Sequence, residues 1–528
     1  MTRFVLIGLA ALLSLPFASV RAQKQPKHTR HAASPKGASS HAAPTAPRGF
    51  GTVHFATTCH ADAAPKVDHA VAQLHSFEFG AAIKEFDGVL AADSSCAMAQ
   101  WGIALSRWGN PMAAGQRSPA FLAKGRAAAE AGARLGAGAS ERERAWIQAV
   151  GQLYEDYEHT DQAARTLAYE HAMRDVVARF PADTEAKIFH AIALTASASP
   201  TDKTYARQLE AGAELERLWK KMPGHPGLAH YIIHTYDAPA LAGRARLAAE
   251  RYADIAPSAA HALHMPSHTF TRVGNWPASV ETNVKSIKVA IANRAFGEAL
   301  HASDYAVYAY LQMGKYVDAK DIVSALPELE GWFDASSVMG AAPASAAVYA
   351  LAAIPARWAL ERSAWKEAAA LKPVPSAYPY TEAMTHFARA LGAAHLGDTD
   401  KVRSSIDSLA SIEQRLLTKG EAYWAEQVAI QRIAADGWLA FAEHRNEDAV
   451  TRLREAATRE DATEKSAVTP GPLAPAREQL ADLYVELGRG KAARAEFRAV
   501  LKKEPKRLHS TLGLAGNLPS QERVRPSE

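Results

Sequence analysis

Beyond residue 55, apolar residues recur at helical spacing in nearly every window, while strand-type alternation is almost absent. A chain of that pattern must bury its apolar faces helix against helix. The clearest window runs from Ala474 to Pro505. It places Leu480, Ala481 and Tyr484 on one helix, Gly488 at a turn, small residues and Phe497 on a second helix, and Pro505 at the close. The same order of parts recurs. Phe79, Ala82, Phe86 and Val89 mark a unit near 63–94, Gly274-Asn275-Trp276 one near 260–293, and Gly314-Lys315-Tyr316 one near 300–326. Pro181 and Pro257 end others near 141–181 and 226–257, and weaker units lie around Ser363-Ala364-Trp365, Gly397 and Arg445–Ala449.

Taken together these units resemble the tetratricopeptide repeat (TPR) family. The resemblance implies an all-α, right-handed superhelical solenoid over 53–515, built from roughly eight or nine helix hairpins, where about three suffice for a stable stack. Three stretches are too long for a simple repeat: 109–140, 197–203 and 456–475, the last with Thr469-Pro470-Gly471-Pro472. In solenoids such insertions gather on one face, often the binding face. Trp101, Trp108, Trp146, Trp358 and Trp438 sit at helical spacing among Ala and Leu and are expected as packing residues.

The N-terminus has the marks of a signal peptide over 1–22: a basic start at Arg3, an apolar run from Phe4 to Val20, and small residues around a cut after Ala22. No other apolar run is long enough to span a bilayer. A periplasmic or secreted protein is expected, and with its leader the chain resembles an exported, bacterial-type repeat protein. Residues 23–52 are rich in Pro, Ala, Ser, His and Lys and predict a disordered basic linker, whose His28, His31 and His41, with His54 beyond, are read as solvated. Residues 516–528 predict a disordered tail. The first 60 positions hold seven of the 60 Lys and Arg and none of the 56 Asp and Glu, so the remainder is close to neutral, which argues against a nucleic-acid partner.

The two cysteines, Cys59 and Cys96, suggest one disulfide in an oxidising compartment. In the repeat register one precedes the first helix and the other opens the third, near the same end. Two free buried thiols are the alternative.

Histidine is concentrated in two runs, His225–Asp237 and His261–His268, each with a pair of imidazoles four residues apart on one helical face. The resemblance implies that the first helix of each repeat turns its second, fifth, ninth and twelfth residues into a concave groove. With Gly274, Pro257 and Gly314 as markers, those places fall on His261, His264 and His268; on His230, His234 and Asp237; and on His301, Asp304 and Tyr308. The predicted metal ligands are His230, His234, His264 and His268. Asp237, His261, His301, Asp304 and Tyr308 are alternative ligands or partners that orient an imidazole, with Tyr231 in the same outer ring. Imidazole and carboxylate suit Zn, Cu or Fe. Pro266 falls inside or at the start of one of these helices; if the helix starts there, His264 is not a clean helical partner of His268.

Neither histidine pair has Glu in second place, so the metalloprotease base is missing, and there is no nucleophile elbow, phosphate loop or dinucleotide fingerprint. The leading expectation is an exported binding scaffold with a His-rich metal site in its groove, receiving a peptide, protein or small molecule. A metal-dependent hydrolase or oxidase using the same residues is one alternative, and a metal-free interaction scaffold another. His75 is expected to cap toward Glu78, and Arg357, Arg477 and Glu478 to form exposed ion pairs.

Overall fold

The computed structural model describes residues 49–113, 115–336 and 340–518, so the expected leader and most of the expected linker and tail lie outside the described residues. Among the described residues there are twenty-four α-helices and no strand. Each helix packs chiefly on its neighbours in sequence, as hairpins stacked one on the next. The folded unit already includes Gly49 and Thr52: Ser258 N donates to Gly49 O at 3.0 Å, and Thr52 N to Gly224 O at 2.9 Å.

One turn recurs between the helices of a hairpin. At Gly274, Gly314, Gly397 and Gly488 φ is +66°, +68°, +77° and +71°. The next residue then donates its N–H five residues back: Asn275 to Phe270, Lys315 to Tyr310, Asp398 to Ala393 and Arg489 to Tyr484. This is the Schellman closure, in which a left-handed residue lets orphan carbonyls of the helix end find partners. Ser363 and His444 make the same turn without glycine, at φ +52° and +62°, with Ala364 bonding back to Ala359 and Arg445 to Ala440.

The ends are fastened to the body. Cys59 and Cys96 are joined in a disulfide, their Cα atoms 4.8 Å apart. Glu143, in a capping box with Ser140, also takes Thr58 N at 2.8 Å and Thr58 Oγ1 at 2.5 Å, which ties the N-terminal segment down. At the other end Trp276 Nε1 donates to Lys506 O at 3.1 Å, and Leu508 N to Gln312 Oε1 at 2.9 Å.

His509 contributes a pH-dependent part of that C-terminal fastening. Burial would lower its pKa, but the charges of Asp482, 2.8 Å away, and of Glu478 outweigh it and raise the group to about 9. A folded pKa above the unfolded one means stability that is present below about pH 6.5 and lost as pH rises toward 9. At ~1.4 kcal/mol per unit the loss is on the order of 2–3 kcal/mol. Denaturant unfolding between pH 6 and 9 should show that decline in the native sequence and a flatter profile in His509→Gln.

Candidate metal centre

The helix Pro226–Thr235 starts with proline in its first turn, where a missing N–H costs nothing, and carries His230 and His234 on one face. The next inner stretch is Ala260–His264 followed by Pro266–Arg272. Met265 between them keeps helical angles (φ −53°, ψ −36°), so His264 and His268 still meet across the step at Pro266. The third inner helix, Phe296–Gln312, begins four residues ahead of the expected start and carries His301. All six histidines are buried, His301 being the most exposed at 5%.

They form two groups of three: His230, His234 and His261; and His264, His268 and His301. In each group one ligand atom per residue lies within 4.8 Å of the others. The four expected ligands thus divide between two groups, and His261 and His301, placed by the sequence in the outer ring, complete one each. The groups adjoin, with ring centroids of His234 and His268 5.9 Å apart and those of His261 and His264 6.0 Å apart.

Hydrogen bonds fix the tautomers of two imidazoles in the second group, His264 and His268. Asn283 Nδ2 donates to Ser279 O at 2.6 Å, so its Oδ1 faces His264 Nδ1 at 2.7 Å and accepts from it. His268 Nδ1 donates to Asp237 Oδ2 at 2.9 Å. Both Nδ1 atoms therefore carry hydrogen. The two Nε2 atoms lie 3.1 Å apart. Burial, with the neighbouring histidines adding to it, holds the His264 pKa well below its ordinary value; burial, partly offset by Asp237, brings His268 down to about 4. At neutral pH two lone pairs then point at each other. A cation between them removes the repulsion, and with Asp237 or Asn283 behind each ring the pattern is that of metal-bound histidine.

In the first group His230 Nδ1 donates to His75 O at 2.6 Å, leaving Nε2 bare. His230 Nε2, His234 Nε2 and both nitrogens of His261 are buried without a hydrogen-bond partner in the protein. Burial lowers His230 and His234 well below 6.5, so these too are neutral. His261 Nδ1 lies 3.6 Å from Glu298 Oε2. Phe77 packs against His230, His234 and His261, its ring centroid 4.4 Å from that of His230.

Asp237 is held from three sides. Besides His268 it takes Arg272 Nε at 2.8 Å and Lys465 Nζ at 3.1 Å. Burial would raise its pKa, but these cations hold it well below the ordinary carboxylate range. It is placed to orient His268. Burial lowers Lys465 to about 8, against the pull of Asp237.

Asp304 and Tyr308 are not brought to the histidines. Asp304 pairs with Arg357, Oδ1 to Nε at 3.0 Å, both fully buried. Arg357 also donates to Pro472 O at 3.1 Å and Gly471 O at 3.3 Å, and Tyr305 OH to Ala467 O at 3.1 Å and Thr469 O at 3.0 Å. Tyr308 OH meets Glu504 and Arg507, each at 3.1 Å. The insertion with Thr469–Pro472 therefore covers the face on which a groove was expected, and Arg357 serves as its internal anchor rather than as an exposed ion pair. Glu478 is likewise buried against Arg507, whereas Arg477 pairs at the half-buried surface with Asp461 and Glu496.

His75 also differs from expectation. Its Nε2 is 2.9 Å from Glu185 Oε2 and its Nδ1 3.0 Å from Tyr231 OH, and His225 Nε2 meets the other oxygen of Glu185 at 3.0 Å. In this His–Glu–His set both carboxylate oxygens and both His75 nitrogens are engaged, while His225 Nδ1 is buried without a partner. Its place in the site is as the foundation for His230, through the His75 carbonyl. The sequence signal for it was only a histidine late in the first helix, since its partners lie more than 100 residues away.

No protein-family model matches the chain, and no curated protein matches it. Among solved structures it is similar to the APC/C hetero-tetramer Cut9–Hcn1 (TM-score 0.35, 11% identity, covering 87% of this chain and 76% of that one). It is also similar to a monomeric IFIT1 mutant with m7Gppp-AAAA (TM-score 0.36, 10% identity, 84% and 95%) and to the human IFIT1 dimer with m7Gppp-AAAA (TM-score 0.35, 10% identity, 75% and 85%). Likeness this slight carries no argument about ligand or activity.

Proposed function

We propose that this is an exported transition-metal protein, a helical repeat scaffold that buries imidazoles to hold a metal ion. The observation that carries the reading is the 3.1 Å approach of the His264 and His268 Nε2 atoms, with both Nδ1 hydrogens already committed to Asn283 and Asp237. His301 is the third ligand of this group. Three imidazoles without a fourth protein ligand leave a coordination position for an exogenous molecule, which is the arrangement of catalytic rather than purely structural sites. The all-nitrogen donor set suits Zn, Cu, Fe or Ni. Export rests on the leader read in the sequence and is supported by the disulfide.

The test is elemental analysis of tag-free protein lacking residues 1–22, as purified and after chelation and reconstitution with Zn, Cu and Fe in turn. At least one equivalent should survive dialysis in the native sequence and be lost in His268→Ala. Retention of none of these metals by the native protein would overturn the reading.

A further inference from the structure

The lone-pair argument concerns only half of the cluster. In the other half three imidazoles converge with their bare nitrogens unpartnered, and each such buried atom destabilises the fold unless something satisfies it. Among the described residues none hydrogen-bonds to these atoms, and Asp237, Lys465 and Asn283 are spent on the second group or on one another. A second cation meets that need with the same donor set.

Resting on the metal reading above, we propose that the centre holds two copper ions, one in each histidine triad, and that the pair takes up one molecule of dioxygen between them. Neither triad offers a carboxylate or thiolate ligand atom. Neutral donors in a dry site favour ions of low charge, because the desolvation cost rises steeply with charge. Of the carboxylates beside the cluster, Asp237 is already balanced by Arg272 and Lys465, and Glu298 stands near His261. Two copper(I) ions are therefore better tolerated than two zinc(II) ions, and imidazole is a suitable ligand for copper in both of its oxidation states.

The reaction balances within the centre. Each copper(I) gives one electron, dioxygen is reduced by two electrons to peroxide bound between two copper(II) ions, and no proton or further reductant is consumed. The net charge of the centre is the same before and after, so the buried surroundings need not reorganise. A small neutral reactant also fits the packing: all six histidines are buried, and the cavities beside Arg272 and Lys465, and beside Phe79 and Gly340, are lined by none of them.

The experiment uses the chain from residue 23, chelated and then loaded with copper(I) without oxygen. Copper per chain is counted, dioxygen uptake is titrated, and the electron paramagnetic resonance spectrum is recorded. Expected are two coppers per chain, one dioxygen per two coppers, and an oxidised centre silent in resonance because the two spins couple. His234→Gln should keep one copper and lose dioxygen uptake, and His261→Gln, on a different helix, should do the same; circular dichroism establishes that each variant is folded. One copper in the native chain, or none, would overturn the pair, while the metal reading itself falls only if zinc, copper and iron are all refused. Two coppers that ignore dioxygen, or that oxidise to uncoupled and visible copper(II), would overturn the inference. So would zinc displacing copper(I) at equal concentration.

Discussion

Alanine at both His264 and His268 should remove the part of this protein's metal-dependent stability that the His264, His268 and His301 triad supplies. A ion that binds the folded chain and not the unfolded one stabilises it by RT ln(1 + [L]/Kd), about 4 kcal/mol at a thousandfold excess over Kd. In the native sequence, chelation should lower the unfolding free energy by about that amount for each ion held. In the double variant the chelator effect should fall by one ion's share, because His301 is left alone while His230, His234 and His261 keep their ion. The sign in the metal-free state is the informative part. There the native pair holds two lone pairs at 3.1 Å, so its removal relieves a repulsion while opening a cavity, and the two metal-free proteins should differ by much less than the two loaded ones. Urea unfolding of both proteins with and without chelator at pH 7 gives all four numbers. Equal chelator effects in the two would show that the stabilising ion is held elsewhere.

The helical pattern was enough to read the architecture because one turn does most of the punctuation. Where its left-handed residue is glycine, as at Gly274, Gly314 and Gly488, the unit is plain in the sequence; where the chain uses Ser363 or His444, the same geometry is made by a residue type that does not advertise it. The register built on Gly274 and Gly314, with Pro257 for the unit before them, turned all six histidines into one groove, since matched positions on successive inner helices follow from local periodicity alone. It could not divide them into two groups. That division depends on side-chain directions and on which nitrogen is already engaged by Asn283, Asp237 or the His75 carbonyl. Asp304 and Tyr308 went astray for a different reason. Their helix face was read correctly as inward, but the chain returns 160 residues later to cover it, with Thr469 and Pro472 bonding to Tyr305 and Arg357, and periodicity carries no information about such a return. His75, Glu185 and His225 fall under the same limit.

Arg507→Met should cost about 3–5 kcal/mol, the expected range when one partner of a buried ion pair is removed. The guanidinium is only 2% exposed and makes the densest set of charged contacts at the C-terminal end. Its Nε lies 2.9 Å from both oxygens of Glu478, and its Nη2 is 2.8 Å from Glu478 Oε1 and 2.8 Å from Glu361 Oε1. Burial pushes the Glu478 carboxyl up, and Arg507 first, then His509 and the Ser510 hydroxyl, more than offset it, so the ionised carboxylate depends chiefly on Arg507. Without it Glu478 and Glu361 are left buried beside each other. Two controls separate this cause from lost packing. Arg507→Met combined with Glu478→Gln should recover a large part of the loss, because removing both members of a buried pair is far cheaper than removing one. The single-variant penalty should also shrink as pH falls, since stranded carboxylates that have taken up protons no longer carry an uncompensated charge. The consequence reaches the histidines. Arg507 Nη1 bonds Tyr308 OH on the same helix, Phe296–Gln312, that delivers His301, so the variant should bind copper at the His301 triad more weakly than the native chain while the triad of His230, His234 and His261 is spared.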